Sequence, residues 1–212
     1  PLLGVAATAL KSAGDFEQAM NQMQVISGAT GAQMKEMQSL ALQLGADTSF
    51  SAGEAAQGLL ELSKAGLSAE QSMKAIPGVM DLAAAGDLSV AQAAEIASNA
   101  LNSFHLPADK AKDVANLFAA AANASSIEVT DMAQSMSQAG AVAASYGQSI
   151  ETAATAVAIL GNNGIKGSDA GTSLKTMLSR LAAPTEESAA LMKQLGINVY
   201  DASGKMRPLP AI

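Results

Sequence analysis

Cysteine is absent from all 212 residues, which removes disulfide staples, thiol catalysis and cysteine-ligated zinc, and leaves the redox compartment open. Tryptophan is absent too, and aromatic residues make up only 3%. The single histidine, His105, stands between Phe104 and Leu106 at the end of an apolar stretch, where a lone imidazole is a surface or packing residue far more often than a ligand. No metal centre and no cofactor is expected. Basic residues are scarce: 12 Lys and Arg stand against 19 Asp and Glu, for a net charge of −7. Residues 1–165 carry 6 basic and 15 acidic groups, net −9, and residues 166–212 carry 6 and 4, net +2. No basic stripe is available to follow a phosphate backbone, so sequence-specific nucleic-acid binding is excluded.

A long hydrophobic run is lacking as well. The longest uncharged stretch, Met132 to Ile150, has spanning length but carries Gln134, Ser135, Ser137, Gln138, Ser145, Gln148 and Ser149, too many polar groups for a stable membrane span. The chain opens Pro1-Leu2 with no basic region and apolar core of a signal peptide behind it, and it reads as a segment of a longer protein. What is abundant is alanine, within a hydrophobic share of 49%. A buried methyl contributes about 0.8 kcal/mol, against roughly 1.5–3 kcal/mol for a larger apolar side chain, so this composition favours close helix packing over deep stability.

The spacing predicts a succession of short helices. Residues 5–26 form an amphipathic helix ended near Ser27-Gly28, and a second follows Thr30, with Gly45 as its stop. Ser51 with Glu54 matches a capping box, and Gly66 ends that helix. Ser68 with Gln71 caps the next, bent or restarted at Pro77-Gly78 and closed at Gly86; Ser89 with Gln92 caps another that runs to about Phe104. Pro107 opens a helix that ends near Asn123.

The stretch from Asn162 to Thr185 organises the rest. Gly161, Gly164 and Gly167 give the backbone three permissive positions in seven residues, so the chain is expected to reverse there. Ser168 is then read as the cap of a helix that includes Gly171, with Leu174, Met177, Leu178 and Leu181 as its apolar stripe and Pro184 as its stop. A phosphate loop fails on spacing, since Lys166 precedes Gly167 and the segment before the loop reads as helix, not strand.

The segment from Ser125 lines up with the one from Thr48, pairing Glu54 with Asp131 and Gln57 with Gln134, and Ser68 falls against Ser149 and Ser89 against Ser168. A degenerate duplication of a three-helix unit is the expectation. After Pro184, Thr185 caps a short helix to Leu195 stopped by Gly196, and residues from Ile197 read as a small hairpin or extended tail around Asp201–Gly204. The fold class is all-α, a compact bundle of about nine to eleven short helices. Residues 1–46 lead into a core helical domain at 47–185, and 186–212 form the short helix and tail.

Four pieces stand in order here: SAGEAAQGLLELSKAGLSAEQ, PGVMDLAAAGDLSVAQAAEIASNALNSFHL, GIKGSDAGTSLKTMLSRLAAPT and LGINVYDASGK. With them the chain from Asp15 onward resembles the core region of phage tail tape measure proteins, also known as phage-related minor tail proteins. The resemblance implies a virion protein of long-tailed phages, present in the host cytoplasm during assembly, whose full chain sets tail length, recruits tail assembly and leaves the tube ahead of the DNA. It implies as partners the tube, the tail tip or baseplate hub, assembly chaperones and further copies of itself, with a transient host-membrane contact during ejection. It brings no catalytic residue to this region, and no paired carboxylates or zinc ligands here suggest an enzyme. From the residues alone, a helical adaptor unrelated to phages or a membrane-active module fits as well, the latter because only Glu151 is ionised between Met132 and Ile165.

Overall fold

Most helix boundaries in this chain are set by hydrogen bonds local to each end, and one form of start and one form of stop recur. In the computed structural model, which describes residues 2–212 and the side chains from Ala13 onward, ten α-helices appear among the described residues. They are α1 (Leu2–Ser27), α2 (Gly31–Asp47), α3 (Ala52–Lys64), α4 (Ala69–Gly86), α5 (Val90–Ser103), α6 (Ala111–Asn123), α7 (Val129–Ser145), α8 (Ile150–Asn162), α9 (Gly167–Ala182) and α10 (Glu186–Gln194). Pro1 lies outside the described residues. Among the described residues the fold is all-α, with no sheet.

Starts are made by side chains. Thr30, Ser51 and Ser68 each accept from the backbone N–H three residues on, and Gln33, Glu54 and Gln71 return a bond to the cap's own N–H. Ser89 and Gln92 exchange the same pair of bonds ahead of α5. Each such reciprocal pair satisfies two amides that the first turn leaves without a partner.

Stops are made by the backbone. Leu67, Leu88, Leu106, Gln148, Ile165 and Ile197 each donate to the carbonyl five residues back, at 2.8–3.1 Å. The residue before each has positive φ: Gly66, Asp87, His105, Gly147, Gly164 and Gly196. This is the left-handed helix stop, in which the residue after the turn folds back over the last carbonyls and packs on the helix it has just left. Five of the six returning residues are apolar, and Gln148 is the exception.

Several boundaries depart from expectation. α2 runs through Gly45 to Asp47, because Thr48 rather than a glycine closes it, its N–H and hydroxyl both donating to the Leu44 carbonyl. α4 continues through Pro77 without restarting. Gly78 serves contact rather than bending: a Cβ there would meet the backbone of Ala111 and Lys112. Pro107 opens a 3₁₀ turn, Ala108–Lys110, before α6 begins. The C-terminal segment closes a single antiparallel bridge, Tyr200 with Met206, and no strand forms.

The chain divides into two compact units. One takes in residues up to Leu101 with Leu106–Asn116, the other Asn102–His105 with Leu117–Ile212. In the first, α3 is central and lies against α1, α2 and α4. Its Ala55, Ala56, Leu59, Leu60 and Leu62 are buried, joined by Met23, Met37, Ile76, Val79 and Leu82. In the second, α7 lies against α8 and α9 around Phe118, Met132, Val157, Leu174 and Leu178. Gly66 and Gly147 end α3 and α7 in the same left-handed form, and Ser68 and Ser149 cap the helices that follow, but α9 starts after Lys166 without the side-chain cap that Ser89 gives α5, and the packing partners of α3 and α7 differ.

Candidate functional site

The glycine-rich stretch and the helix after it are held by α7. Lys166, in extended conformation, is the residue before α9, and no side chain caps that end. Ser168 therefore lies inside the first turn and not at the cap, because Gly167, at φ 54°, starts the helix one residue earlier than the serine's polarity suggests. The Ser135 hydroxyl, fully buried on α7, lies 2.7 Å from the Gly167 carbonyl and 2.8 Å from its own Asp131 carbonyl, and it donates into that pair.

The four glycines separate into two jobs. Gly164 and Gly167 have positive φ and turn the chain. Gly161 belongs to α8 and Gly171 to α9, and both are places of close approach. A Cβ on Gly161 would meet the Ile127 methyl, and one on Gly171 would meet the Ser135 carbonyl, with Ser135 Cα 2.9 Å and Gln138 Cβ 2.8 Å away. Gly167 and Gly171 are four apart, with Ala170 buried beside them, so one stripe of α9 lacks side-chain bulk and lets α7 come to backbone distance. Leu174 and Leu178 continue that stripe into the core.

Chemically the arrangement is closed. A Cβ on Gly167 would find Gln134 Oε1 at 2.6 Å and Asp131 Oδ1 at 3.4 Å, so the start of α9 faces an amide oxygen and a carboxylate. An anion attracted to a helix start would meet negative oxygens there. Among the described residues no group of three His, Asp or Glu could hold a metal ion, and no helix is long and apolar enough to cross a membrane.

Two polar residues that sequence reasoning counted only against a membrane span prove to hold the unit together. Ser135 ties α7 to α9. Gln148, 3% exposed, donates from Nε2 to the Arg207 carbonyl at 3.0 Å and accepts at Oε1 from the Leu209 N–H at 2.9 Å, so it holds the C-terminal segment on both sides of Pro208. The available signal was position: Gln148 follows Gly147 at the place where an apolar residue normally returns over the helix end. That segment is fastened further by Tyr200, whose hydroxyl donates to the Ala182 carbonyl at 2.9 Å, and by the Asp201 carboxylate, which accepts from Ser203 and from the Lys205 N–H. These bonds, Ser203's hydroxyl first, hold the Asp201 carboxyl below its ordinary pKa.

The capped α3, α4 and α5 and the glycine run packed on α7 are the pieces that carry the family resemblance, and comparison with known proteins agrees with it. The chain is 44% identical over 209 residues to the tape measure protein of Pneumococcus phage Dp-1, covering 99% of this chain and 18% of that protein. It is 30% identical over 197 residues to the probable tape measure protein of Escherichia phage P2, covering 92% of this chain and 24% of that protein. The chain thus spans about a fifth to a quarter of the length of these relatives. No solved structure matches it. The description "Phage-related minor tail protein" matches residues 38–212, and the chain belongs to that family.

Proposed function

We propose that this chain is a structural and assembly domain of a phage tail tape measure protein, acting in tail assembly, length determination and genome ejection without catalysing a reaction. Its partners are other tail proteins, namely the tube, the tip or baseplate hub and the assembly chaperones, together with further copies of itself. It resides in the virion tail and passes through the host cytoplasm during assembly. The observation that carries this reading is the similarity, over nearly the whole chain, to two tape measure proteins from different phages.

The helix lengths support an interaction role over that of a ruler. The longest helix, α1, has 26 residues, which at 1.5 Å per residue is about 39 Å. Every later helix is shorter and is ended by its own stop. An in-frame deletion of residues 47–182 in a phage carrying this sequence separates the two roles. A continuous rod of that length would shorten the tail by roughly 200 Å. The expected result is failed assembly or lost infectivity without that shortening; infectious tails shorter by the full amount would refute the proposal.

A further inference from the structure

Helix α10 stands apart from the others. It has a capped start at Thr185 and a left-handed stop at Gly196, yet none of its residues is buried, and Leu191 and the adjoining Leu195 are 54% and 64% exposed. A nine-residue helix is marginal in water by itself, and helices persist in proteins chiefly because an apolar face packs on something. Leu191 and Leu195 are four apart and share one stripe. The charges are ordered along the helix, with Glu186 and Glu187 in the first turn and Lys193 in the last, about 10 Å further along the axis. Among the described residues none of these three has an ion-pair partner.

A complementary surface exists in the first unit. Between α1 and α2 lies a cleft of about 370 Å³ in which Phe16, Met20 and Met34 are set among polar side chains, Glu17 on the α1 side and Lys35 on the α2 side. Glu17 and Lys35 also lack an ion-pair partner among the described residues, whereas Lys64, Lys74 and Lys112 are each paired with a carboxylate.

We propose that α10 of one copy seats in the α1–α2 cleft of a second copy. Leu191 and Leu195 lie against Phe16, Met20 and Met34, Lys193 lies toward Glu17, and the Glu186–Glu187 end lies toward Lys35. This is a helix-in-groove contact whose leucines anchor it and whose charges set its direction. It rests on the reading that the chain binds further copies of itself, and it names the surfaces. Because the two surfaces differ, a copy joined by one contact still offers one of them; two copies that exchange helices close a two-fold dimer, and otherwise the contact continues into a ring or an open array. One helix in one cleft is a small interface, so single contacts are weak and the assembly depends on concentration.

Sedimentation velocity of the 212-residue chain over a concentration series tests this. The mean mass is expected to rise with concentration past that of the monomer. Leu191→Asp, at an exposed position, should raise the dissociation constant about tenfold or more, and Glu17→Lys several-fold. Combining Glu17→Lys with Lys193→Glu in one chain should restore association that each change alone weakens, which a general loss of folding would not do. Mixing the Leu191→Asp and Glu17→Lys variants leaves one strong contact, from the Glu17→Lys chain's α10 to the other's intact cleft, so dimers should predominate. Either of two results would overturn the inference: a monomer at every concentration, or monomers that use Leu191 only to bind anionic phosphatidylglycerol vesicles. A monomeric chain together with failed tails in the 47–182 deletion would refute this contact while leaving the proposed function standing.

Discussion

The Ser135 hydroxyl reaches the Gly167 carbonyl at 2.7 Å across a sequence separation of 32 residues, in a part of the core where Ser135 is fully buried. Ser72 on α4 is as deeply buried, but its hydroxyl has no partner among the described residues. A satisfied buried hydroxyl and an unsatisfied one should respond oppositely to deletion. Ser135→Ala is expected to cost about 1–2 kcal/mol, and Ser72→Ala to be neutral or stabilising by up to about 1 kcal/mol, by urea denaturation. Equal losses at both sites would contradict this assignment.

Gly171→Ala should be the most damaging single change in the glycine run. Alanine usually helps a helix interior by about 1 kcal/mol relative to glycine. Here the added methyl meets the Ser135 backbone, which cannot move without separating α7 from α9. A net loss of about 2–3 kcal/mol is expected. Gly164→Ala has open space around it and only the strain of φ 84°, so its cost should be smaller, about 1 kcal/mol. Thermal melts that reverse this order would show that backbone freedom, not close approach, is what Gly171 supplies.

Asp87 and His105 hold left-handed conformations, at φ 50° and 54°, where four other helix stops of the same form use glycine. Asp87→Gly and His105→Gly should therefore leave stability unchanged or raise it slightly. Asp87→Val and His105→Val, which place a β-branched side chain at positive φ, should lower it by more than about 1 kcal/mol. Tolerance of valine at both sites, measured by melting temperature, would mean that these ends relax to another geometry.

Gln148→Leu restores the apolar residue that the other five stops carry but abandons the Arg207 carbonyl and the Leu209 N–H. The expected result is a local one: faster hydrogen exchange at Leu209 and earlier proteolysis within residues 206–212, with α7 and α8 still protected. Unchanged exchange at Leu209 would show that Val199 and Met206, both buried, hold the segment without the glutamine.

The Asp201 turn carries a pH dependence of known sign. Because the folded carboxyl has a lowered pKa, its contribution to the turn is complete above the ordinary aspartate range and is lost as pH falls through the folded value. The turn at 201–205 should loosen only in acid below that range, and Asp201→Asn should remove most of the dependence. NMR titration of the Ser203 and Lys205 amides reads this directly; a midpoint at or above the ordinary aspartate value would be inconsistent with the hydrogen bonds described.

The sequence by itself determined the local frame of this protein. A cap needs a hydroxyl and a side chain three residues on, and a left-handed stop needs one residue that accepts positive φ, so Ser51 with Glu54, Ser68 with Gln71, Gly66 and Gly196 can be read without knowing any partner helix. The family followed from the order of those same pieces. Where two signals competed within a few residues the reading slipped: Ser168 looked like a cap although Gly167 already begins α9, and Gly45 looked like a stop although Thr48 provides it.

Only the tertiary structure decided which glycines turn the chain and which admit a neighbour. Gly164 and Gly171 look alike in sequence, but one has positive φ with open space around it and the other has a second backbone against it. The same holds for Ser135 and Gln148, whose partners lie 32 and 61 residues away at Gly167 and Leu209. The reason is physical: caps and stops are satisfied by hydrogen bonds inside one stretch of chain, whereas a missing Cβ or a buried hydroxyl takes its meaning from whatever the fold brings against it.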